Sequence, residues 1–305
     1  MRNDYRVDGR LSTIGIIGDN ISIKGGMHLH STSLPPYSPP SDSPPSVSNF
    51  DILPPPGSLP PGYRIPFLRN KLFTGRAKLL RDLAQDFLHA GDTSTPKIKV
   101  IHGMGGVGKT QLAVEFVYRY GRYFQGIHWL DGSRLEALDS EIAACGAEMC
   151  LPDWPNTLPE QVARTLDVWH RSGRRLVVLD GLEDVYAARK WLARLAGGPI
   201  CLLITTLCSD WPNDLDLSSL PLNVFKSGES LKFLRRHLHA RGDSVKDLKR
   251  LSIRLGYLPL ALELAGRYLA RMPFLKIDAY LVQLGDVLNH PSMQQIGRAS
   301  CRERV

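Results

Sequence analysis

A glycine-rich octapeptide with the sequence GMGGVGKT occupies residues 103–110. It matches the pattern G-x-x-x-x-G-K-[ST] in full. The β-branched run Lys97–His102 precedes it, and Lys109–Tyr120 follows with apolar residues at helical spacing. Glycines let such a loop point backbone N–H groups at phosphate oxygens, and the following helix adds its partial positive charge. The pattern predicts a phosphate-binding loop between a strand and a helix, with a chance glycine-rich turn as the alternative.

Two side chains of this loop have distinct expected roles. Lys109 would bring its ammonium to the β- and γ-phosphates, and the Thr110 hydroxyl would contact Mg²⁺. The phosphate-binding residues expected on this basis are Gly103, Met104, Gly105, Gly106, Val107, Gly108, Lys109, Thr110 and Gln111.

A second strand-like run, LVVLD at residues 176–180, ends in a carboxylate, as a Walker B strand does. The carboxyl ends of parallel strands line one crevice, so Asp180 is expected to emerge beside the loop. There it would hold Mg²⁺ and serve catalysis together with Lys109. A helix N-cap or loop aspartate is the alternative interpretation.

Strand and helix patterns alternate over residues 65–221, which predicts an α/β fold, a parallel sheet with helices on both faces. Residues 222–295 show only helical spacing, which predicts a small all-α subdomain. The predicted strands are 97–102, 127–130, 175–180 and 200–205, and the predicted helices are 109–120, 135–149, 159–169, 184–195, 229–239, 245–255, 260–270 and 277–288.

The first 64 residues have a different composition. Twelve of the 22 prolines lie between positions 35 and 66, mixed with serine and glycine. Such a segment buries too little apolar surface to offset its ordering entropy, so residues 1–64 are predicted to be a disordered region and linker. The five cysteines form no C-x-x-C pair, and four of them lie in apolar surroundings that favour buried, reduced thiols.

The chain has no run of about 18 apolar residues, so a membrane span and a membrane partner are not expected. The scattered cysteines fit a reduced setting, and a cytoplasmic location is expected. The net charge of +8 permits an anionic partner without specifying one. The basic residues Lys246, Lys249, Arg250 and Arg254 cluster on one predicted helix, where a solvated face is the simpler reading. A nucleic-acid partner is therefore not expected.

Together, five motifs resemble those of the NB-ARC nucleotide-binding domains of the STAND class of P-loop NTPases. The resemblance runs from about residue 66 to 284 and rests on the order of the motifs. In chain order these are FTGR (73–76) followed by KLLRDL (78–83), the phosphate loop (103–110), the strand ending at Asp180, LITT (203–206) and LGYLPLAL (255–262).

The resemblance implies an ATP/ADP-binding switch that uses Mg²⁺. Arg76 and Pro259 would contact the sugar and base side of the nucleotide, Thr205 would lie in a sensor strand, and the helical part would be an ARC1-like subdomain. ADP would keep the module closed, and ATP would release it to form a homo-oligomer or to engage an effector protein. Bacterial members often continue into a winged helix and tetratricopeptide repeats. Taken singly, Arg76 could be a solvated helix-start residue and Pro259 a plain helix start.

Two departures from the family pattern bear on hydrolysis. Gly181 stands where the family usually has Asp or Asn, and Leu207 stands where an arginine usually reaches the γ-phosphate. Glu183 or Asp184 could orient a water instead. The expectation is slow or absent hydrolysis. The alternatives are an AAA-like ATPase completed by oligomerisation and a nucleic-acid-binding regulator.

The final ten residues, IGRASCRERV at 296–305, have no apolar period and resemble the translation of a sequencing adapter. A natural basic tail is the alternative. On the adapter reading, the natural chain would continue beyond Gln295, and the histidine of the family's M-H-D motif would be missing here.

Overall fold

The computed structural model describes residues 49–89, 97–171, 173–211 and 217–289. The predictions for residues 1–48 and 296–305 lie outside the described residues. None of the described helices combines the length and the apolar character needed to cross a bilayer.

A five-stranded, all-parallel sheet forms the centre of the fold. Its order is β2-β3-β4-β1-β5, and the pairings of β1 with β4 and of β3 with β2 and β4 are parallel. The strands are β1 (Lys97–His102), β2 (Gly126–Asp131), β3 (Arg175–Leu182), β4 (Ile200–Thr206) and β5 (Leu217–Pro221). The predicted parallel sheet is confirmed.

Strand β5 was not expected from the sequence. Its segment LSSLP has a mostly exposed face and only two leucines, so no apolar run marks it. It pairs in parallel with β1 at the edge of the sheet, where backbone hydrogen bonds rather than side-chain burial hold it.

Helices cover both faces of the sheet because successive strand residues point to opposite sides. One apolar core lies between the sheet and helices α1 and α2, and a second lies between the sheet and helices α3, α4 and α5. These helices are α1 (Ala77–Leu88), α2 (Lys109–Tyr120), α3 (Leu138–Glu148), α4 (Leu158–Arg171) and α5 (Val185–Leu195).

Four further helices form the helical part after β5, each within two residues of its predicted start. They enclose a third apolar core that includes Phe233, Leu251 and Leu262. Pro259 occupies the first turn of the third of them, where its missing N–H leaves no hydrogen bond unmade. The helices are α6 (Ser227–His237), α7 (Val245–Arg254), α8 (Pro259–Arg271) and α9 (Ile277–Asn289).

The predicted disorder of residues 1–64 does not hold for residues 49–64, which lie against the first core. Arg119 of α2 donates to the carbonyl of Pro54 at 2.6 Å, and Arg122 donates to the carbonyl of Pro55 at 3.1 Å. Prolines lack an N–H but keep a carbonyl acceptor, so arginines at the end of α2 can hold the proline-rich segment. Its apolar side chains that pack against the core are Phe50, Leu53 and Leu59.

The prediction of buried cysteines is confirmed for two and wrong for two. Cys145 and Cys201 are buried, whereas Cys150 is exposed and Cys208 half-buried. Cys150 follows α3 in a left-handed conformation with φ of 48°, which turns it away from the core. Burial raises the pKa of the Cys145 and Cys201 thiols to about 12.

The raised pKa values predict two measurable effects. Under native conditions at pH 8, iodoacetamide should modify Cys150 and leave Cys145 and Cys201 intact until the chain unfolds. Above about pH 8.5 the unfolded thiols lose protons that the folded state retains. The free energy of unfolding should therefore fall as pH rises, by up to about 1.4 kcal/mol per pH unit for each buried thiol. Equal native labelling rates for Cys145 and Cys150 would contradict the assignment.

Candidate functional site

The phosphate-binding loop joins β1 to α2 in a backbone conformation that requires glycine. Gly103 has φ of 146°, and a Cβ there would collide with the carbonyl of Leu222. Gly108 has φ of 96° and directly precedes α2. At Gly108 a side chain would have open space, so there glycine is favoured by the left-handed backbone alone. The loop therefore has the conformation predicted from its sequence pattern, with the N-terminus of α2 at its base.

Lys109 folds over the loop. Its Nζ donates to the carbonyls of Gly103 at 2.7 Å and Met104 at 3.0 Å. Burial lowers the pKa of Lys109, while the negative charge of Asp180 opposes that shift. The ammonium thus lies at the mouth of the loop, bonded to neutral carbonyls that phosphate oxygens can replace as stronger, charge-assisted partners.

Asp180 lies beside the loop, as its strand position predicted. The Thr110 hydroxyl donates to Asp180 Oδ1 at 2.8 Å, and the Thr205 hydroxyl from β4 donates to the same oxygen. Burial raises the pKa of Asp180, while the hydrogen bonds from Thr205 and Thr110 lower it. Residues from α2, β3 and β4 therefore meet at one carboxylate.

This donor set fits Mg²⁺ better than a metal held by protein ligands alone. Among the described residues, no group of three or more His, Cys, Asp or Glu side chains could hold a metal ion. One carboxylate and one hydroxyl, from Asp180 and Thr110, are hard oxygen donors. Mg²⁺ at phosphate sites usually takes one or two such ligands and completes its shell with phosphates and water.

A bulge follows Asp180. Gly181 has φ of 76°, the β3–β4 register shifts between Leu179 and Leu182, and the Gly181 N–H donates to Thr205 Oγ1 at 2.9 Å. No side chain projects from position 181 toward the site.

The suggestion that Glu183 or Asp184 replaces the missing acid receives no support. Asp184 caps α5 by accepting from the Ala187 N–H at 2.9 Å, so its carboxylate has a local structural role. Glu183 is exposed. Leu207 follows β4 with 45% of its surface exposed and brings no charge to the loop.

Sequence reasoning missed Asp131, the last residue of β2, which lies opposite Asp180 in the strand register. It accepts from Ser133 Oγ at 2.6 Å and from Arg134 Nε at 2.8 Å, and these partners lower its pKa. The strand IHWLD ends in a carboxylate just as LVVLD does, and this shared pattern was the signal that could have identified it.

A cavity of about 230 Å³ continues from the loop to the helical part. Arg76 and Pro259, which the sequence placed on the sugar and base side of a nucleotide, both line it. The Leu260 N–H of α8 donates to the Gly106 carbonyl at 3.1 Å, so the helical part contacts the loop itself. Residues of the loop and the start of α2 form one wall of the cavity, and Phe73, Phe225 and Phe233 add aromatic surface to it.

Arg76 has several partners at the edge of this cavity. Its Nη2 donates to the Asn223 carbonyl at 2.6 Å, and its guanidinium lies 5.0 Å from the centre of the Phe225 ring. Burial lowers the pKa of Arg76, and nearby Glu229 raises it. Sequence reasoning identified Arg76 but not Phe225, Phe233 or Glu229. Phe225 lies between β5 and α6, and the other two lie on α6.

Comparisons with known proteins agree with this geometry. Residues 77–206 match the NB-ARC domain. The regulatory protein AfsR of Streptomyces griseus is 28% identical over 229 residues, which cover 70% of this chain and 22% of that protein. AfsR of Streptomyces coelicolor is 28% identical over 232 residues, with the same coverage. The chain thus spans about a fifth of the length of the curated relatives it matches.

Solved structures share the fold at low sequence identity. A chain of the Drosophila ORC bound to DNA has a TM-score of 0.55 at 14% identity, covering 75% of this chain and 65% of that one. The Aeropyrum pernix ORC2 protein has a TM-score of 0.52 at 15% identity, covering 76% and 72%. The chain therefore carries a nucleotide-binding module with the P-loop NTPase fold, and the part that holds its phosphate loop and Asp180 matches the NB-ARC domain.

Proposed function

We propose that the chain works as an ATP/ADP-dependent signalling switch with slow or no intrinsic hydrolysis. The observation that carries this proposal is the shared cavity, which has the phosphate loop on one side and Pro259 and Leu260 of the helical part on the other. A ligand shifts a conformational equilibrium only if it binds the two states differently. A nucleotide in this cavity would contact both the phosphate loop and the helical part. The number of its phosphates, two in ADP and three in ATP, can therefore bias how the two are arranged.

The residues of the site divide the work of binding. Lys109 would bind the β- and γ-phosphates, and backbone N–H groups of the loop would surround them. Thr110 and Asp180 would hold Mg²⁺, whose charge offsets that of the phosphates. Arg76 and Pro259 would contact the sugar and base. The preference for adenine follows from the NB-ARC resemblance.

Slow hydrolysis follows from what the site lacks. Position 181 has no side chain to orient a water, and Leu207 cannot stabilise negative charge that develops on the γ-phosphate. An arginine in such a role contributes about 10³- to 10⁵-fold in some phosphoryl-transfer enzymes. A switch benefits from this, because a bound ATP persists long enough to be read by an effector or a second copy of the chain.

Steady-state ATP turnover is therefore expected to stay below about 1 s⁻¹, low for an enzyme. Leu207→Arg should raise the turnover by restoring a cation at the end of β4. Ile253→Arg, at an exposed apolar residue on α7, is the matched control and should change nothing. Turnover well above that limit which rises with protein concentration would instead favour the AAA-like ATPase completed by oligomerisation.

The basic residues of α7 bear on the alternative of a nucleic-acid-binding regulator. Arg250 already pairs with Asp278 at 2.5 Å and lies 3.9 Å from Asp247. Lys246, Lys249 and Arg254 are exposed on a helix whose other face packs into the third core. Exposed basic side chains suit a solvated face and a phosphate backbone alike, and a salt-sensitive mobility shift with DNA would favour the nucleic-acid alternative.

A further inference from the structure

One carboxylate is shared by the N-termini of two helices from different parts of the fold. Glu229, in the first turn of α6, accepts from the Lys226 N–H at 2.8 Å through Oε2. Its other oxygen accepts from the Arg76 N–H at 3.1 Å. Lys226 and Arg76 are the N-cap residues of α6 and α1. Within α6 this is the returning half of a capping box, and the second bond extends the same cap to α1.

The approach of α6 to this point is unusually close. Gly75 has φ of 74°, and a Cβ there would collide with the Glu229 carboxylate. Glycine is therefore favoured at position 75 by its left-handed backbone, and a side chain there would have to displace the Glu229 carboxylate. The glycine of the FTGR motif serves the contact with α6.

A second side chain of α6 holds the same segment from the opposite end. Arg236, seven residues after Glu229, donates to the carbonyls of Phe73 and Lys71, each at 2.9 Å. Residues seven apart lie on one helix face. Phe233, between them on that face, lines the cavity. Two α6 side chains thus hold residues 71–76. The Glu229 carboxylate accepts from the Arg76 N–H at one end, and the Arg236 guanidinium donates to the Phe73 and Lys71 carbonyls toward the other end.

We propose that Glu229 is a positioning residue that couples the nucleotide to the helical part. It joins the backbone of Arg76, whose side chain lines the cavity, to α6, which forms another wall of the same cavity. Without it, two N–H groups lose their acceptor, and Arg76 loses the direct contact that ties its orientation to α6. The binding-competent arrangement is then less populated, which weakens the apparent affinity. This inference rests on the proposed nucleotide-dependent function.

The first measurement needs no nucleotide. Hydrogen exchange of the full chain is compared for the wild type, Glu229→Ala and Glu160→Ala. Glu160 is the matched control, a first-turn glutamate of α4 whose carboxylate accepts from Thr157 Oγ1. Glu229→Ala is expected to lower protection at both residues 74–76 and 226–229, whereas Glu160→Ala leaves both segments unchanged. Loss of protection at only one of the two segments would contradict the inference that the Glu229 carboxylate holds both.

The second measurement is calorimetric affinity for Mg-ADP and Mg-ATP. Glu229→Ala is expected to weaken binding about tenfold, within the usual range of coupling between sites. In a variant that already carries Arg76→Ala, the same change should cost less than about threefold, because the effect acts through Arg76. If Glu229 had a purely structural role, Glu229→Ala would lower thermal stability, and the affinity losses of the two single variants would add in the double variant. That result would overturn the proposal.

The two measurements also distinguish failure of this inference from failure of the proposed function on which it rests. Unchanged affinity in Glu229→Ala, with a wild type that binds, would overturn the coupling and leave the switch intact. A wild type without affinity for Mg-nucleotide would overturn the proposed switch. Hydrogen exchange at residues 74–76 and 226–229 would still test whether Glu229 holds both segments. If Glu229→Ala does not fold, Glu229→Gln replaces it. The amide keeps one acceptor oxygen, so a smaller loss of protection and affinity is expected.

Discussion

Calorimetric titration of the Lys109→Ala variant with Mg-ATP or Mg-ADP is expected to show at least a ~100-fold loss of affinity. Hydrogen bonds that involve charged groups are worth about 1.5–3 kcal/mol each, and tenfold in affinity corresponds to about 1.4 kcal/mol. In the structure Lys109 Nζ bonds to the Gly103 and Met104 carbonyls of the loop itself. Phosphate oxygens at the loop would therefore lose their nearest mobile cation in the variant.

The same variant should remain folded, because the lost bonds lie within one surface loop. Its melting temperature is expected to stay within a few degrees of the wild type, and Lys78→Ala serves as the matched control. Lys78 lies exposed on α1, where it pairs with Asp82 at 3.4 Å, so this change should leave nucleotide affinity intact. Affinity retained in Lys109→Ala would contradict the assignment of the loop.

The second large effect concerns magnesium. Asp180→Asn should bind nucleotide in EDTA as the wild type does, yet gain little when Mg²⁺ is added. The reason is that the variant keeps the shape of the side chain and its contacts with Thr110 and Thr205 while it loses the charge that holds the cation. Titrations with ADP and ATP, each with Mg²⁺ and with EDTA, measure this ratio directly.

Stability gives an independent check on the same variant. Burial raises the pKa of Asp180, so the ionised carboxylate destabilises the folded state at neutral pH. Asp180→Asn is therefore expected to melt at the same or a higher temperature than the wild type. Asp184→Asn is the control, since that residue caps α5, and it should leave the magnesium dependence unchanged. A full magnesium effect in Asp180→Asn would place the cation elsewhere.

The strength of a local pattern decided which elements could be predicted. The central strands are continuous apolar runs because both of their faces are buried, and they are visible without any knowledge of their neighbours. Strand β5 has no such run, since it lies at an edge and depends on backbone pairing with β1. The same limitation applies to residues 49–64. Their proline-rich composition predicted disorder, yet Arg119 and Arg122 supply donors for the proline carbonyls.

The phosphate site was predictable because most of its parts are contiguous in the chain. The glycine pattern, Lys109 and Thr110 occupy eight residues, and a parallel sheet then requires Asp180 to lie at the same edge. Asp131 was missed although its strand ends in the same way. The sequence contains no sign that β2 and β3 are adjacent, and only that pairing brings Asp131 opposite Asp180.

The amino-acid sequence alone thus determines the glycine-rich loop, the place of Thr110 and Asp180 beside it and the change from an α/β sheet to a helical part. These depend on local spacing and on one general rule of parallel sheets. The cavity, and the Glu229 contacts that join Arg76 to α6, depend on the tertiary structure. Arg76 and Glu229 are 153 residues apart in the chain. Nothing in the composition of either segment specifies a bond between a glutamate side chain and a distant backbone N–H. That bond exists because α6 packs against the FTGR segment, where a side chain at position 75 would displace the Glu229 carboxylate.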